Sequence, residues 1–289
     1  MSGQYIDLHT HSAVSDGTDE PADLVKKAAR LGLAAVALTD HDSLAGLAEA
    51  GETARALGID FVRGVEIAVR DDFGELHLLG LWMPEPSARM REALATLRRQ
   101  RAERNQAMLD ALRANGMPLT MEEVRAVSKG EALGRPHIAR ALVDKGYVAS
   151  RKEAFDRYIG WSGAAFVPRE LVSPKEGIQL LRGEGATVAL AHPFLSRLMT
   201  RERLDDLLSD FRAWGLSALE AYHNAHDARH TRICTDLAAK HKLLLTGGSD
   251  YHGDNKDGIA LAVGRGNMRV PHWVLSALRE RRKRQGLWV

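Results

Sequence analysis

Apolar and polar positions follow two rhythms along the first third of the chain. YIDLH (5–9) alternates with a period of two, and Glu20–Leu31 carries apolar residues at helical spacing after a Thr18/Asp19 start signal. LAAVALTD (33–40) is a continuous run of small apolar residues that ends in polar ones. The pattern predicts a βαβ unit. Ala45–Leu57, closed by Gly58, predicts a second helix, and IDFVRGVEIAV (59–69) predicts another strand. ELHLLGLW (75–82) is its partner across an Asp71-Asp72-Phe73-Gly74 turn. Buried strands alternating with helices imply an α/β fold, either a barrel or an open sheet.

The middle of the chain changes character. RMREALATLRRQRAERNQAMLDALR (89–113) predicts one long arginine-rich helix. Shorter helical patterns follow at Met121–Val127, Arg135–Lys145 and Lys152–Tyr158, without a strand among them. Strand signals return at ATVALAHP (186–193), SALEAYH (217–223), KLLLTGGSD (242–250) and, more weakly, IALAVG (259–264). Helices are expected between them near Pro174–Gly183, Arg201–Trp214 and His226–His241. The expected organisation is an α/β unit over 1–88, a helical insertion over 89–165, and the remainder of the α/β unit over 166–289.

Composition narrows the function classes. The 289 residues are 45% hydrophobic, enough for a sizeable core, and no low-complexity tract or fixed-period repeat interrupts them. The 40 basic and 38 acidic side chains leave a net charge of only +2, so overall charge implies neither a nucleic-acid nor a membrane partner. A lone Cys234 cannot form an internal disulfide or a thiolate cage. Without a signal-peptide core in MSGQYIDLHTHS, a reducing cytoplasm is expected. The longest apolar runs fall far short of the roughly 20 residues of a membrane span. No obligate protein partner is indicated.

Histidine and carboxylate are where the chemistry lies. His9, His11, Asp40, His41, Glu66, His192, Glu220, His223, Asp250 and His252 fall at or just beyond the C-terminal end of predicted strands. In α/β barrels and open sheets those ends share one face, where active sites form. His9 and His11, two apart on an extended segment, point to one side and can hold one cation; Asp16 and His77 add to the group. That is too many ligands for a single ion. Imidazole and carboxylate without thiolate suit Zn²⁺, Mn²⁺ or Fe²⁺ better than Ca²⁺ or Mg²⁺. Paired ions roughly 3.5–4 Å apart activate a water for phosphate ester hydrolysis. No P-loop, GxGxxG, GxSxG elbow or catalytic cysteine signature supports other chemistry.

The set HTHSAVSDGT, ALTDHDS, GVEI, LHLLG, LAHP and GGSDYH resembles the polymerase and histidinol phosphatase (PHP) family over nearly the whole chain. The resemblance implies a distorted (β/α)7 barrel of PHP type with an inserted α-helical cap domain, holding two or three divalent metal ions, manganese foremost and Zn²⁺ or Fe²⁺ as alternatives. It implies that His9, His11, Glu66 and Asp250 hold one ion, Glu66, His77 and His192 a second, and Asp16, His41 and His252 a third.

RRQRAERN (98–105) and GRPHIARAL (134–142) further resemble the subgroup of 3′,5′-nucleotide bisphosphate phosphatases and 5′-to-3′ RNA-trimming enzymes. Arg101 and Arg104, with Arg98 at the same three-residue spacing, share a helical face suited to gripping phosphate; Asn105 stands beside them, and Asp16 also lies at the expected substrate site. Arg135 and His137 straddle Pro136, near a helix N-terminus that offers free N–H groups to an anion. His223 and Asn224 are expected to touch substrate, protonate a leaving group or support a ligand from behind. Asp7 and Asp40 are expected to orient imidazoles. His226, His230, His241 and His272 are expected to be structural or solvent-facing, and RERRKRQ (279–285) to be a frayed basic helix end, with contact to RNA as the alternative.

The expected reaction is hydrolysis of the 3′-phosphate of a nucleoside 3′,5′-bisphosphate, such as adenosine 3′,5′-bisphosphate, by a metal-bound hydroxide. The alternatives are a 5′-3′ exoribonuclease acting on short 5′-phosphorylated RNA and, further off, a histidinol-phosphate phosphatase.

Overall fold

Short runs of small apolar residues, AVAL at 35–38 and TVAL at 187–190, are buried at every position as strands, since elements cover both of their faces. A computed structural model describes residues 5–72, 74–128, 133–196 and 198–289; Phe73 of the expected turn and Met1–Gln4 lie outside them. Seven strands stand side by side in chain order: β1 (Tyr5–Asp7), β2 (Ala35–Leu38), β3 (Asp60–Asp71), β4 (Gly74–Leu81), β5 (Thr187–Leu190), β6 (Ala218–His223) and β7 (Leu244–Gly248). Neighbours are parallel except on either side of β4, which runs against both β3 and β5. An eighth strand, β8 (Val270–Pro271), lies antiparallel on β1.

The sheet curls until β1 meets β7. Leu8 N–H donates to the Gly247 carbonyl at 3.0 Å, Asp250 N–H to His9 at 2.8 Å and His11 N–H to Tyr251 at 2.9 Å. The result is a nearly closed barrel, distorted by the β3–β4 hairpin. The closure depends on bare backbone: a Cβ on Gly248 would lie 2.3 Å from the His9 nitrogen.

Helices α1 (Pro21–Arg30), α2 (Leu47–Leu57), α7 (Pro174–Gly183), α8 (Arg201–Trp214) and α9 (Ala228–Lys240) follow their strands, and α10 (His272–Arg284) ends the chain. Gly58 caps α2 in the left-handed conformation, φ 68°, as its position predicts. Between β4 and β5 stand α3 (Ala88–Ala114), α4 (Met121–Ala126), α5 (Arg135–Asp144) and α6 (Arg151–Ala154), the last continued by a π-helical turn, Phe155–Ile159. The first half of α3 packs Met90, Leu94 and Leu97 into the barrel's core; its second half packs Met108, Leu109 and Leu112 into a separate core with Leu119, Ile138 and Leu142. One helix thus joins two hydrophobic cores.

Two expectations change. IALAVG (259–264) forms a tight turn with a single Ala260–Gly264 bridge, because Asp7 accepts the Ala262 N–H and Ala262 takes φ 74°. The strand beside β1 is Val270–Pro271 instead. The basic C-terminal run does not fray: Arg282 is fully buried and donates to the carbonyls of Trp288 and Gly185 and to Thr187 Oγ1. Among the described residues, no helix is long and apolar enough to cross a membrane.

Candidate metal centre

The strand-end rule gathers most of the expected ligands, and the β3–β4 hairpin adds two more. His9 and His11 follow β1, His41 follows β2, His192 follows β5, and Asp250 and His252 follow β7. Glu66 instead sits in the middle of β3, paired with His41 where β2 has already ended, and His77 is on β4, two rungs further along the hairpin opposite Ala68. The long hairpin therefore supplies a wall of the site rather than a rim.

His9 shows how the centre is set. Its Nδ1 lies 3.0 Å from Glu220 Oε1 and donates there, which leaves the Nε2 lone pair facing inward. That Nε2 is 3.2 Å from His11 Nε2, 3.4 Å from Glu66 Oε2 and 3.6 Å from Asp250 Oδ1; His11 Nε2 is 3.2 and 3.5 Å from the same two oxygens. Ligands held about 2.1 Å from one ion in a tetrahedron stand ~3.4 Å apart. The four atoms keep the spacing of a metal shell, and two imidazole nitrogens face to face have nothing to donate between them. The residues fit a divalent cation.

Glu66 turns its other oxygen to a second group. Oε1 lies 2.8 Å from His77 Nδ1 and 2.9 Å from His192 Nε2, while Oε2 lies 3.1 Å from His41 Nδ1. Potential ligand atoms converge most tightly in the sets His9/His11/Asp250, His9/Glu66/His192, His41/Glu66/His77 and His11/Asp16/His41/His252. Glu66 is shared, as a bridging carboxylate would be. His11 joins the group of Asp16, His41 and His252 through Nδ1, 3.9 Å from Asp16 Oδ1. His252 donates from Nδ1 to the Asp250 carbonyl at 2.8 Å and presents Nε2 to Asp16 at 3.2 Å.

Electrostatics keeps the carboxylates ready for cations. Burial pushes Glu66 up, but His41, His77 and His9 outweigh it and hold its carboxyl well below the usual range. Burial likewise pushes Asp250 up, but Lys256, His252 and His9 outweigh it and hold that carboxyl well below the usual range. Burial and the neighbouring His252 bring His11 down to about 4, so it stands neutral, as a ligand must. His77, partly buried, is raised to about 9 by Glu66 and Glu75, a pull toward positive charge that a cation on Glu66 would take over from the proton.

Two carboxylates take a role different from that expected. Asp7 and Asp40 orient backbone rather than imidazoles. Asp7 accepts from Ser249 N–H, Ser249 Oγ and Ala262 N–H at 2.9, 2.6 and 2.8 Å; Asp40 accepts from Ser12 N–H, Ser12 Oγ and Ser15 Oγ at 2.8, 2.6 and 2.5 Å. Each carboxylate stiffens a loop that carries histidines. Imidazole orientation falls to Glu220, and to Glu75, whose Oε1 is 3.1 Å from His77 Nε2. His223 accepts the Ala225 N–H at Nδ1, which leaves its proton on Nε2, 3.3 Å from Asp250 Oδ2. Asn224 ties its side-chain amide to the Ser249 carbonyl at 2.7 Å. His226 is buried, not solvent-facing, with Nδ1 bonded to the Ala221 carbonyl at 3.0 Å.

Arginines line the adjoining wall. Arg101 and Arg104 are buried on α3, and Arg98 reaches the Asp42 carbonyl at 2.7 Å. Asp42 Oδ2 receives Arg101 Nη2 at 2.8 Å and Arg169 Nη1 at 3.2 Å. Asn105 donates to the Leu133 carbonyl at 2.9 Å and ties α3 to the entry of α5. His137 is buried with Nδ1 accepting the Gly134 N–H at 3.0 Å, and Arg135 packs over the Phe166 ring. Asp42, Glu75, Arg169 and Lys256, which pairs with Asp250, were not singled out as site residues by motif reasoning, and Glu220 was placed among the strand-end residues without a role of its own. Glu220 and Asp42 had a signal, at a strand end and next to His41; Arg169 had none. A cavity of about 950 Å³ opens between α1 and the 251–263 loop, with Lys256 in its lining.

Comparison with known proteins agrees with the geometry. A model of the PHP domain matches residues 7–166. The chain is 33% identical to a 5′-3′ exoribonuclease of Haemophilus influenzae over 87% of this chain and 91% of that one. It is 32% identical to a 3′,5′-nucleoside bisphosphate phosphatase of Chromobacterium violaceum over 88% and 89%. A solved structure from Bifidobacterium adolescentis, assigned as a metal-dependent phosphoesterase, superposes with a TM-score of 0.85 at 32% identity, covering 96% of both chains. A distorted barrel that converges imidazoles and carboxylates at metal-shell spacing, and a family match over more than half its length, make this chain a member of the PHP family of metal-dependent phosphoesterases.

Proposed function

We propose that this phosphoesterase removes the 3′-phosphate of nucleoside 3′,5′-bisphosphates, with adenosine 3′,5′-bisphosphate as the type substrate and the 5′-monophosphate as product. The observation that carries the reading is the placement of buried arginines directly beside the His/carboxylate cluster, with Asp42 and Glu75 linking the two. His9, His11, Asp16, His41, Glu66, His77, His192, Asp250 and His252 are the ligands, and helices within 89–165 form the cap. Divalent ions held there, manganese foremost, supply water activation and neutralise charge at the phosphoryl oxygens. Glu220 and Glu75 orient imidazoles, His223 steadies Asp250, and the cap residues Arg101, Arg104, Asn105, Arg135 and His137 position the 5′-phosphate. The relative from Chromobacterium violaceum supports this substrate class.

A second reading is 5′-3′ exoribonuclease activity, favoured by the similarity to the Haemophilus influenzae enzyme. The terminal nucleotide of 5′-phosphorylated RNA also carries phosphate on both oxygens, so one site serves either substrate.

Phosphate release with Mn²⁺ from adenosine 3′,5′-bisphosphate, AMP, 3′-AMP and histidinol phosphate, beside digestion of a short 5′-phosphorylated RNA, tests the proposal. Fast release from the bisphosphate alone, leaving AMP, supports it. Silence there with RNA digestion puts the nuclease first. Arg104→Ala is expected to erode the preference for the bisphosphate while leaving metal content intact; unchanged preference refutes the grip.

A further inference from the structure

The arginines beside the metal centre are not equivalent. Arg101 donates from both Nε (3.1 Å) and Nη2 (2.8 Å) to Asp42 Oδ2, and so is held as a fixed frame. Arg169, only 4% exposed, gives Nη1 alone to that carboxylate, and its Nε and Nη2 have no hydrogen-bond partner among the described residues. Arg104, 7% exposed, likewise has an unpartnered Nε. Burying a guanidinium with free N–H groups is costly unless an anion completes it. Burial and repulsion by Arg135, Arg101 and Arg169 push Arg104 down, with only Glu75 pulling the other way. A cavity of about 400 Å³ runs along Arg70 and residues 168–171, so space borders the segment that carries Arg169.

The charge balance is positive. Among the described residues, Arg101, Arg104, Arg135 and Arg169 outnumber the carboxylates that act on them, Asp42, Glu75 and, at Arg101, Asp16. Phosphate oxygens accept from guanidinium N–H groups and offset such an excess. We infer that Arg169, together with Arg104, seats a terminal phosphate and is the specificity-determining residue for a 5′-phosphorylated end, with Arg101 the frame that Asp42 holds for it. The identification of that phosphate as the 5′ group rests on the nucleotide reading above; the anion seat does not.

Isothermal titration of the metal-loaded protein with AMP and with adenosine, for the parent, Arg169→Gln and Arg169→Lys, decides the matter. Arg169→Gln is expected to weaken AMP by roughly tenfold to a hundredfold, the worth of hydrogen bonds to a charged group. Adenosine should shift less than threefold, and Arg169→Lys should fall between. The glutamine variant should melt no lower than the parent, since an incompletely paired buried charge has been removed. AMP affinity within threefold of the parent in Arg169→Gln, equal losses for AMP and adenosine, or a parent that binds AMP no better than adenosine would each overturn the seat. Failure of the parent to release phosphate from the bisphosphate would instead overturn the substrate reading, and the AMP titration still decides on Arg169.

Discussion

Glu220 is fully buried at the inner end of the barrel, with Oε1 accepting His9 Nδ1–H at 3.0 Å and Oε2 accepting the His192 N–H at 2.7 Å. Glu220→Gln preserves the shape but turns one acceptor into a donor. If the amide oxygen keeps the His192 N–H, the NH₂ group faces His9 Nδ1, whose proton must move to Nε2. That nitrogen, 3.2 Å from His11 Nε2 and 3.4 Å from Glu66, then has no lone pair to offer a cation. If the amide turns over, the buried His192 N–H loses its acceptor instead. Either arrangement forfeits one hydrogen bond to a charged group, about 1.5–3 kcal/mol. A partner that orients a metal-binding histidine is worth roughly 10–100-fold in metal affinity. Competition titration of Mn²⁺ and Zn²⁺ against a chelator measures this directly. The variant should need that much more metal for half-maximal phosphate release and recover much of its activity at saturation. Metal affinity within threefold of the parent would refute the argument that Glu220 fixes the His9 tautomer.

Three further outcomes are expected. Burial lowers His226 to about 4 from an ordinary 6.5, so the unfolded chain binds its proton more readily. The neutral imidazole's contribution is complete above pH 6.5 and is lost as pH falls toward 4, about 2 kcal/mol of it by pH 5; urea unfolding at pH 7 and 5 should show a loss smaller by about that amount in His226→Gln than in the parent, and equal losses would refute the assignment. Gly248→Ala places a methyl 2.3 Å from the His9 nitrogen and 2.4 Å from its Cβ, contacts that backbone cannot relieve. A loss at or above about 3 kcal/mol is expected by thermal melting, with metal binding impaired in whatever folds. Ile138→Ala removes a fully buried side chain from the separate helical core. It should cost about 2–5 kcal/mol and raise KM for the bisphosphate before it lowers metal content; a parallel fall in metal content would show that the two cores are not separable.

Spacing along the chain carried much of the fold. The small apolar runs at 35–38 and 187–190 announce buried strands, and Gly58 announces the end of α2, because these depend on neighbours a few residues away. The long helix was legible too, and its stripe holds more than was read from it. Positions 90, 94, 97, 108 and 112 are apolar at helical spacing, and Arg101, Arg104 and Asn105 interrupt them on the same buried face.

The ligand residues were also visible one by one, since His and carboxylate after apolar runs are a local pattern. What no local pattern contains is their mutual placement. Glu66 reaches both oxygens toward different histidines only because β3 runs on past the end of β2 into the hairpin, and the hairpin's length decides where His77 stands. Glu220 meets His9 across 211 positions, and Arg169 meets Asp42 across 127, because closure of β1 on β7 and the return of the chain from the helical segment bring them together. Residue types and their periods are properties of the chain alone, whereas distances between remote side chains arise when strands register and the barrel closes. The chemistry was therefore readable from the sequence, but the division of labour among carboxylates and arginines was decided by packing.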